Sequence, residues 1–373
     1  MDWQDSQAEM GYSFRDPLLE GPSNVHETQL HNSNAPLEPE DDPNAYSDGL
    51  TMEERIAKYT TSITSSVVDY PIEYGRRYHA YRPGSMFKNF AAAVFILILQ
   101  SRHVGGYEMD RLDYAHAMIV KAIGSRLFHA PLDKDKIRAI LDIGTGTGIW
   151  AVEMGDIFEN AEVFGNDLSA IQPEWTPANV SFEIDDVESP WVTENKYDFI
   201  MCRYMTASIT DWPKLVQNIY DHLNPGGWVE FQDMNPEFYS EDGSYTKDHA
   251  TYQWNQAFLG AIRATGRDPT PGPTHERRVR AAGFANVTAL KFKAPLTPWA
   301  RDQHYRDLGM MNLRLTVDGL EGFSVKMFTE VLGRSRAAVQ VEIAHVRNEL
   351  RAWPPAFHAM VDYDVVYGQK PFA

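Results

Sequence analysis

The fold is decided by the stretch ILDIGTGTGIW at residues 140–150. An apolar segment passes directly into three alternating glycines, and a helical pattern follows from Ile149 to about Phe158. Glycine has no Cβ, so the backbone of such a turn can approach a ligand closely. The helix that follows offers unpaired N–H groups at its N-terminus to a polar ligand. The stretch therefore predicts a strand–turn–helix unit that binds a ligand, although a purely structural turn would need the same glycines.

Two classes of cofactor use such a turn, and the spacing of the glycines separates them. The dinucleotide fingerprint G-x-G-x-x-G requires glycine or alanine at its sixth position, where this chain has Ile149. Asp142 lies two residues before the first glycine, and its carboxylate would repel a pyrophosphate but attract the ammonium of a methionyl group. Gly144 and Gly146 are the predicted points of close approach. The pattern favours S-adenosylmethionine (SAM) as the cofactor and disfavours an NAD-dependent oxidoreductase.

Acidic residues end the next two predicted strands. Asp167 lies 23 residues after Gly144, where a carboxylate can accept hydrogen bonds from both ribose hydroxyls. Asp185 and Asp186 end the third strand, and one of them, with Asp186 the first choice, can accept the adenine amino group. Open α/β sheets bind ligands at the carboxyl ends of their strands, so the three acids together favour one nucleoside site. Taken singly, Asp167 has a helix cap as its less favoured alternative role, and the pair has a solvated turn.

Residues 136–233 alternate short β-branched or aromatic runs with amphipathic stretches. This alternation is typical of βαβ units and a parallel sheet. Two further strand-like runs follow, with a helical insert between them. The predicted strands are Ile137–Ile143, Ala161–Asn166, Val180–Ile184, Tyr197–Cys202, Trp228–Gln232, Asn286–Phe292 and Asp362–Tyr367.

The chain divides into five predicted parts. Its first 50 residues hold eleven acidic residues, one basic residue and five prolines without apolar periodicity, which predicts disorder. Helical patterns begin at Thr51, which has capping-box spacing to Glu54. The predicted parts are a disordered acidic tail at 1–50, an N-terminal helical cap at 51–130, a cofactor-binding core at 131–297, a helical insert covering the substrate at 298–357, and the last core strand at 358–373.

The composition argues against several classes of function. A net charge of −18 and a pI near 5.1 disfavour a nucleic-acid partner. Cys202 is the one cysteine; it excludes an internal disulfide, predicts a reducing compartment, and is expected to be a small buried residue at a strand end. We expect no metal, because no ligand spacing for one occurs. The apolar run Phe90–Leu99 would rise only about 15 Å as a helix, too little to span a bilayer. A cytoplasmic protein, with the nucleus as the second location, is the expectation.

Further segments carry patterns that are specific in combination: Leu141–Trp150, Gly165–Ser169, Ile171–Pro173, Phe182–Val187 and Leu223–Glu230, flanked by motifs at Arg76–Tyr81, Arg111–Asp113, Ala130–Leu132 and Val366–Pro371. Over about residues 70–371 the chain resembles the class I methyltransferases, and more closely the fungal LaeA-like group. The resemblance implies a Rossmann-like α/β fold with a seven-stranded sheet, SAM as cofactor, and a tyrosine near the methionyl end, a position that Tyr78 holds here. Ordinary helix packing is the alternative role for Tyr78.

One segment departs from that family's pattern. Residues 85–106 are largely apolar, whereas the family has a polar link there. They are either a covering helix or a translated intron.

The resemblance implies methyl transfer to a small-molecule acceptor in secondary-metabolite biosynthesis, with no nucleic acid or membrane involved. Displacement at a sulfonium demands little proton chemistry, so a dry site that aligns the acceptor can supply most of the catalysis. We assign no catalytic base: His79 lies beside Tyr78, while His103, His129 and His222 have the character of surface or core residues.

Two questions stay open at the level of sequence. The insert contains Met310, Met311, Met327 and Phe328, which suit either an adaptable acceptor pocket or the insert's own core. The LaeA-like resemblance also permits a second function, a nuclear regulator of secondary metabolism that acts through protein partners.

Overall fold

The computed structural model describes residues 35–42, 48–67, 106–173, 175–192 and 194–372. The predictions for Tyr78, His79, His103 and residues 85–105 lie outside these ranges.

A seven-stranded sheet has the order β3-β2-β1-β4-β5-β7-β6. Strands β1 to β5 pair in parallel, and β7 runs antiparallel to both β5 and β6. All seven predicted strands are confirmed; β5 extends beyond its predicted end because it pairs with β7 as far as Tyr239. The strands are β1 Ala139–Ile143, β2 Glu162–Asp167, β3 Val180–Ile184, β4 Tyr197–Arg203, β5 Leu223–Tyr239, β6 Ala285–Pro295 and β7 Met360–Gln369.

Several helices begin at residues whose side chains cap them. Glu54 accepts the Thr51 N–H at 2.8 Å while its own N–H donates to Thr51 Oγ1 at 3.2 Å, so the predicted capping box is confirmed. Asp211 caps the helix after β4, and Ser335 caps the last helix. The helices are α1 Met52–Val67, α2 Gly106–Ala122, α3 Ile149–Ile157, α4 Trp212–His222, α5 Ala250–Ala264, α6 Gly272–Ala281, α7 Gln303–Lys326 with a π-helical end at Met327–Val331, and α8 Arg336–Leu350.

Side chains of the central strands point alternately to the two faces of the sheet. Helices cover both faces, so these strands are buried on both sides. Ile140 of β1 packs on one face with Trp150 of α3. Leu141 packs on the other face with Trp212 of α4. Cys202 is fully buried near the end of β4, as predicted. The two helical layers leave the carboxyl edge of the parallel strands free for a site.

The helical insert builds a third cluster of buried residues with α2, α5 and the ends of β6 and β7. Met311, Met327 and Phe328 are all buried in it. These residues form the insert's own core, which was one of the two sequence interpretations.

The prediction of disorder for residues 1–50 is wrong for 35–42. Pro39 forms an antiparallel bridge with Ala300, and Arg306 Nη2 donates to Glu40 Oε2 at 2.6 Å. The physical reason is that these acidic residues meet arginines of the insert and a short backbone pairing, neither of which an apolar-periodicity argument detects. Residues 1–34 lie outside the described chain.

No helix in the described ranges is long and apolar enough to cross a membrane. The run Phe90–Leu99 falls outside those ranges.

Candidate functional site

A cavity lies at the carboxyl edge of β1 to β4. The glycine turn after β1, Asp167 at the end of β2, and the acidic pair after β3 all line it. Five of the seven sequence-predicted site residues therefore come together here: Gly144, Gly146, Asp167, Asp185 and Asp186. Of the other two, Tyr78 lies outside the described residues, and Asp142 is placed elsewhere.

The three glycines of the turn differ in what surrounds them. All have left-handed φ angles: 67° at Gly144, 59° at Gly146 and 82° at Gly148. A Cβ at Gly144 would lie 2.4 Å from Met205 Sδ, and one at Gly148 would lie 2.4 Å from a Phe182 ring carbon. At Gly146 the nearest atom would be a Leu112 methyl at 3.9 Å. A Cβ at the first or third glycine would thus displace a neighbouring side chain, whereas one at Gly146 would meet only ordinary van der Waals contact at the cavity wall.

Asp167 fastens the turn to β2. Its Oδ2 accepts the Gly146 N–H at 2.9 Å, and its Oδ1 accepts the Ser169 N–H at 2.9 Å. Burial raises the pKa of this carboxyl group, while the backbone donors act in the opposite direction. Residues 168–173 form no helix, so the helix-cap alternative for Asp167 is wrong. Each carboxylate oxygen has a second lone pair with which to accept a ligand hydroxyl.

The carbonyl group of Gly146 in this turn also accepts a hydrogen bond. Gln172 Nε2 donates to Gly146 O at 2.7 Å and to Ser169 O at 2.9 Å. Gly146 therefore has both backbone polar groups engaged, which fixes the turn before any ligand arrives.

The two acidic residues after β3 differ in their solvent exposure. Asp185 is exposed, and its N–H donates to Asp167 O at 3.0 Å. Asp186 is half-buried, and its Oδ1 accepts the Glu188 N–H at 3.0 Å. Both side chains reach the cavity, and the less exposed Asp186 is the more closely held of the two.

The structure does not bring Asp142 to the cavity wall, in contrast to the sequence prediction of a direct methionyl contact. The side chain is buried beneath the turn, where its Oδ2 accepts the Thr145 hydroxyl at 2.6 Å. Burial raises the pKa of Asp142 to about 6. Asp142 lies two residues before Gly144 and is still within β1. Side chains alternate along the strand, and this alternation directs Asp142 into the packed interior rather than into the cavity.

A buried polar chain that the sequence interpretation missed continues the site. Arg203, at the end of β4, donates through Nη2 to His116 Nδ1 at 2.8 Å. His116 Nε2 lies 3.0 Å from Glu153 Oε2. His116 therefore accepts on Nδ1 and donates from Nε2, as a neutral ring, and burial together with Arg203 lowers its pKa.

Arg203 lines the cavity, and its Nη1 is buried without a hydrogen-bond partner among the described residues. A buried guanidinium donor that lacks a partner is costly. Its position at a strand end was a usable signal, since it shares the carboxyl edge with the predicted acids. The contacts to His116 and Glu153 come from two other helices and leave no local pattern in the sequence.

Helix α2 covers the turn. Thr147 Oγ1 donates to Asp113 Oδ1 at 2.6 Å, so the Arg111–Asp113 motif is joined directly to the glycine stretch. Trp150 does not line the cavity; its Nε1 donates to Leu127 O at 3.0 Å in the core. Trp150 is a packing residue.

The described candidate histidines are structural. His129 Nε2 lies 2.9 Å from Ile123 O, and burial lowers the pKa of His129 to about 4. His222 Nδ1 lies 2.8 Å from Asn218 O. Neither lines the cavity, and no catalytic base follows from them.

Comparison with known proteins places this geometry among methyltransferases. Residues 114–289 match a family described as a methyltransferase domain. A protein named methyltransferase pytC, from Aspergillus terreus, is 43% identical over 314 residues, covering 84% of this chain and 91% of its own length. The secondary metabolism regulator LAE1 of Cochliobolus heterostrophus is 34% identical over 286 residues, covering 75% of this chain and 88% of its own.

Among solved structures, coclaurine N-methyltransferase bound to N-methylheliamine and S-adenosylhomocysteine aligns over 87% of this chain and 90% of its own, with 13% identity and a TM-score of 0.41.

Proposed function

Because the chain belongs to the fungal LaeA-like family of SAM-dependent methyltransferases, we propose that the cavity at the carboxyl edge of β1 to β4 is its SAM site. We further propose that the methyl group is transferred to a small molecule made in secondary metabolism. The observation that carries it is that Arg203, whose buried Nη1 has no hydrogen-bond partner among the described residues, lines the same cavity as Gly146. Arg203 offers a cationic hydrogen-bond donor, and Gly146 leaves room for a ligand beside the backbone.

The residues present fit the parts of SAM. Arg203 would bind the methionyl carboxylate, since a guanidinium and a carboxylate form strong charge-assisted hydrogen bonds. Asp167 would accept from the ribose hydroxyls, and Asp186, with Asp185 beside it, from the adenine amino group. Asp142 would act from beneath the turn as a positioning residue, through its hydrogen bond to Thr145.

When bound, SAM supplies an electrophilic methyl group on a positively charged sulfur. The protein's contribution is to hold and desolvate it. Helix α2 places Leu112, Ala115 and Ile119 along the cavity, and these apolar side chains exclude water from part of the site. Exclusion of water strengthens the electrostatic interactions within the site.

The direct test is titration calorimetry of the purified full chain with SAM, S-adenosylhomocysteine and NAD. We expect both adenosyl ligands to bind and NAD to give no measurable heat. Binding of NAD in preference to SAM would contradict the assignment of the cavity.

Turnover separates this proposal from a regulator that acts through protein partners. We expect deletion of the gene in its host to leave a metabolite lighter by one methyl group. Incubation of that metabolite with the protein and SAM should restore the missing mass. SAM binding without methylation of any metabolite from the deletion strain would favour the regulatory alternative.

A further inference from the structure

A second cavity lies beside the first, between the β4–α4 loop, α5, α7 and the strands β5 and β7. Tyr204 lines both cavities. The chain from 204 to 209, here called the partition, separates them: Met205, Ser208 and Ile209 line the first cavity, whereas Thr206 and Ala207 line the second.

The partition has a strained backbone that the surrounding structure holds in place. Tyr204 and Ala207 have φ angles of 58° and 64°, which non-glycine residues rarely adopt. Thr206 donates to Asp233 Oδ1 through its N–H at 3.0 Å and through its hydroxyl at 3.1 Å. Asp233 Oδ2 lies 2.8 Å from Nε2 of the buried His275. Strained, over-determined segments of this kind concentrate at functional sites.

The wall of the second cavity is mainly apolar, and six of its described residues are aromatic. Phe238, Trp254, Phe258 and Phe323 line it, and the Trp254 and Phe258 rings stack at 5.6 Å. Its polar groups include the Tyr363 hydroxyl, which lies 3.3 Å from Asn312 Oδ1. An apolar pocket with a few fixed polar groups is the usual form of a small-molecule site.

The charge on the wall of the second cavity limits the class of ligand that can bind there. Arg111 is the one charged side chain among the described residues that line the second cavity, and those lining residues include no carboxylate. Aromatic walls can hold a cation, but the Arg111 guanidinium already lies 5.7 Å from the Phe323 ring centroid and would repel a second one. Burial of an unpaired ammonium is costly.

We propose that this second cavity is the acceptor site, and that it takes a neutral, largely aromatic molecule bearing a hydroxyl or carbonyl group rather than an amine protonated at neutral pH. The polar group binds at Tyr363 and Asn312, and the rings lie against Phe323 and Trp254. This inference rests on the proposed function of the first cavity, where SAM would supply the methyl group; Tyr204 lines both cavities, so the two sites are adjacent.

The test uses 2-naphthol, a neutral bicyclic aromatic alcohol, as the probe. Its affinity for the full chain is measured by calorimetry in saturating S-adenosylhomocysteine, so that no turnover occurs. Phe323→Ala should weaken 2-naphthol binding at least fivefold and change S-adenosylhomocysteine affinity less than twofold. Phe372→Ala, the same substitution at an exposed ring, should change neither affinity.

A second variant removes only the hydroxyl. Tyr363→Phe should weaken 2-naphthol binding about threefold to tenfold, the range for one lost hydrogen bond, and leave naphthalene binding unchanged. The cationic analogue 2-naphthylmethylammonium should bind the wild type at least tenfold more weakly than 2-naphthol.

Absence of 2-naphthol binding, equal binding of the ammonium analogue, or insensitivity to both variants would each overturn the proposal. Loss of S-adenosylhomocysteine binding in the wild type would instead overturn the function of the first cavity, so the two failures are distinguishable.

Discussion

The two cavities on either side of the partition are built in different ways. The first is made of strand ends and a glycine turn, and its polar groups are backbone amides, carboxylates and one guanidinium. The second is made largely of apolar side chains, several of them aromatic, from α5, α7 and the ends of β5 and β7. In a site of the first kind, the backbone determines which ligand can bind. A site of the second kind is defined by side chains that substitution can change without altering the fold.

The largest effect should come from filling the first cavity. Gly146→Val would place a branched side chain in the cavity and strain a left-handed backbone. We expect S-adenosylhomocysteine binding to fall below detection in calorimetry, while 2-naphthol binding measured without cofactor is retained.

Gly243→Val is the matched control, because Gly243 also has a left-handed φ, of 74°, but a Cβ there would meet nothing within 4 Å. This variant carries a similar strain without filling the cavity. If both variants lose the cofactor equally, strain rather than occlusion is the cause.

The next effect concerns the guanidinium. Arg203→Gln should weaken S-adenosylhomocysteine binding by about 2–3 kcal/mol, the upper range for hydrogen bonds to charged groups. The affinity for 5′-methylthioadenosine, which lacks the amino-acid end, should change little. Equal losses for the two ligands in calorimetry would mean that Arg203 supports the cavity wall rather than the carboxylate.

A smaller effect is expected at the ribose position. Asp167→Asn keeps an oxygen that can accept the Gly146 N–H but removes the charge, so SAM affinity should fall by about 1–2 kcal/mol. Asp156→Asn, on the exposed face of α3, serves as the control. Calorimetry that finds the same SAM affinity in a folded Asp167→Asn variant would remove Asp167 from the site.

The last effect is on stability rather than on ligand binding, and it arises beneath the first cavity. The pKa of Asp142 is raised to about 6 in the folded protein, so the folded state holds a proton that the unfolded state releases near pH 4. Ionisation of Asp142 therefore lowers stability as pH rises from about 4 through about 6. Asp142→Asn should flatten the dependence of stability on pH in this window by about 2 kcal/mol between pH 4.5 and pH 7.5.

Chemical denaturation of both proteins at pH 4.5 and pH 7.5 measures the difference. A wild type and variant with parallel stability profiles would show that Asp142 is ionised throughout this range in the folded state.

The sequence predicts the first cavity well because its determinants are local. The glycine turn, Asp167 and the Asp185–Asp186 pair each follow a strand whose period is visible in a short window. All of them line the cavity. Asp142 was misplaced for the same local reason: the residue count to the glycines indicates proximity, but strand alternation turns the side chain inward.

The second cavity has no comparable signature. Tyr204, Phe238, Phe323 and Tyr363 are distant in the chain and meet only in the folded protein. The apolar residues that the sequence marked in the insert, such as Met327, are buried in its core instead. A helix with apolar residues on more than one face does not reveal by periodicity which face borders a cavity.

The partition also divides the molecule along its length. The residues that line the first cavity end at Ile209, whereas those of the second, apart from Arg111 and the partition itself, begin at Met234. A crossover between two relatives within α4 would therefore take its cofactor machinery from one parent and nearly all of its acceptor wall from the other. Recombination at that single joint offers this fold a route to new acceptors in one step, with Tyr204 and the rest of the partition inherited together with the first cavity.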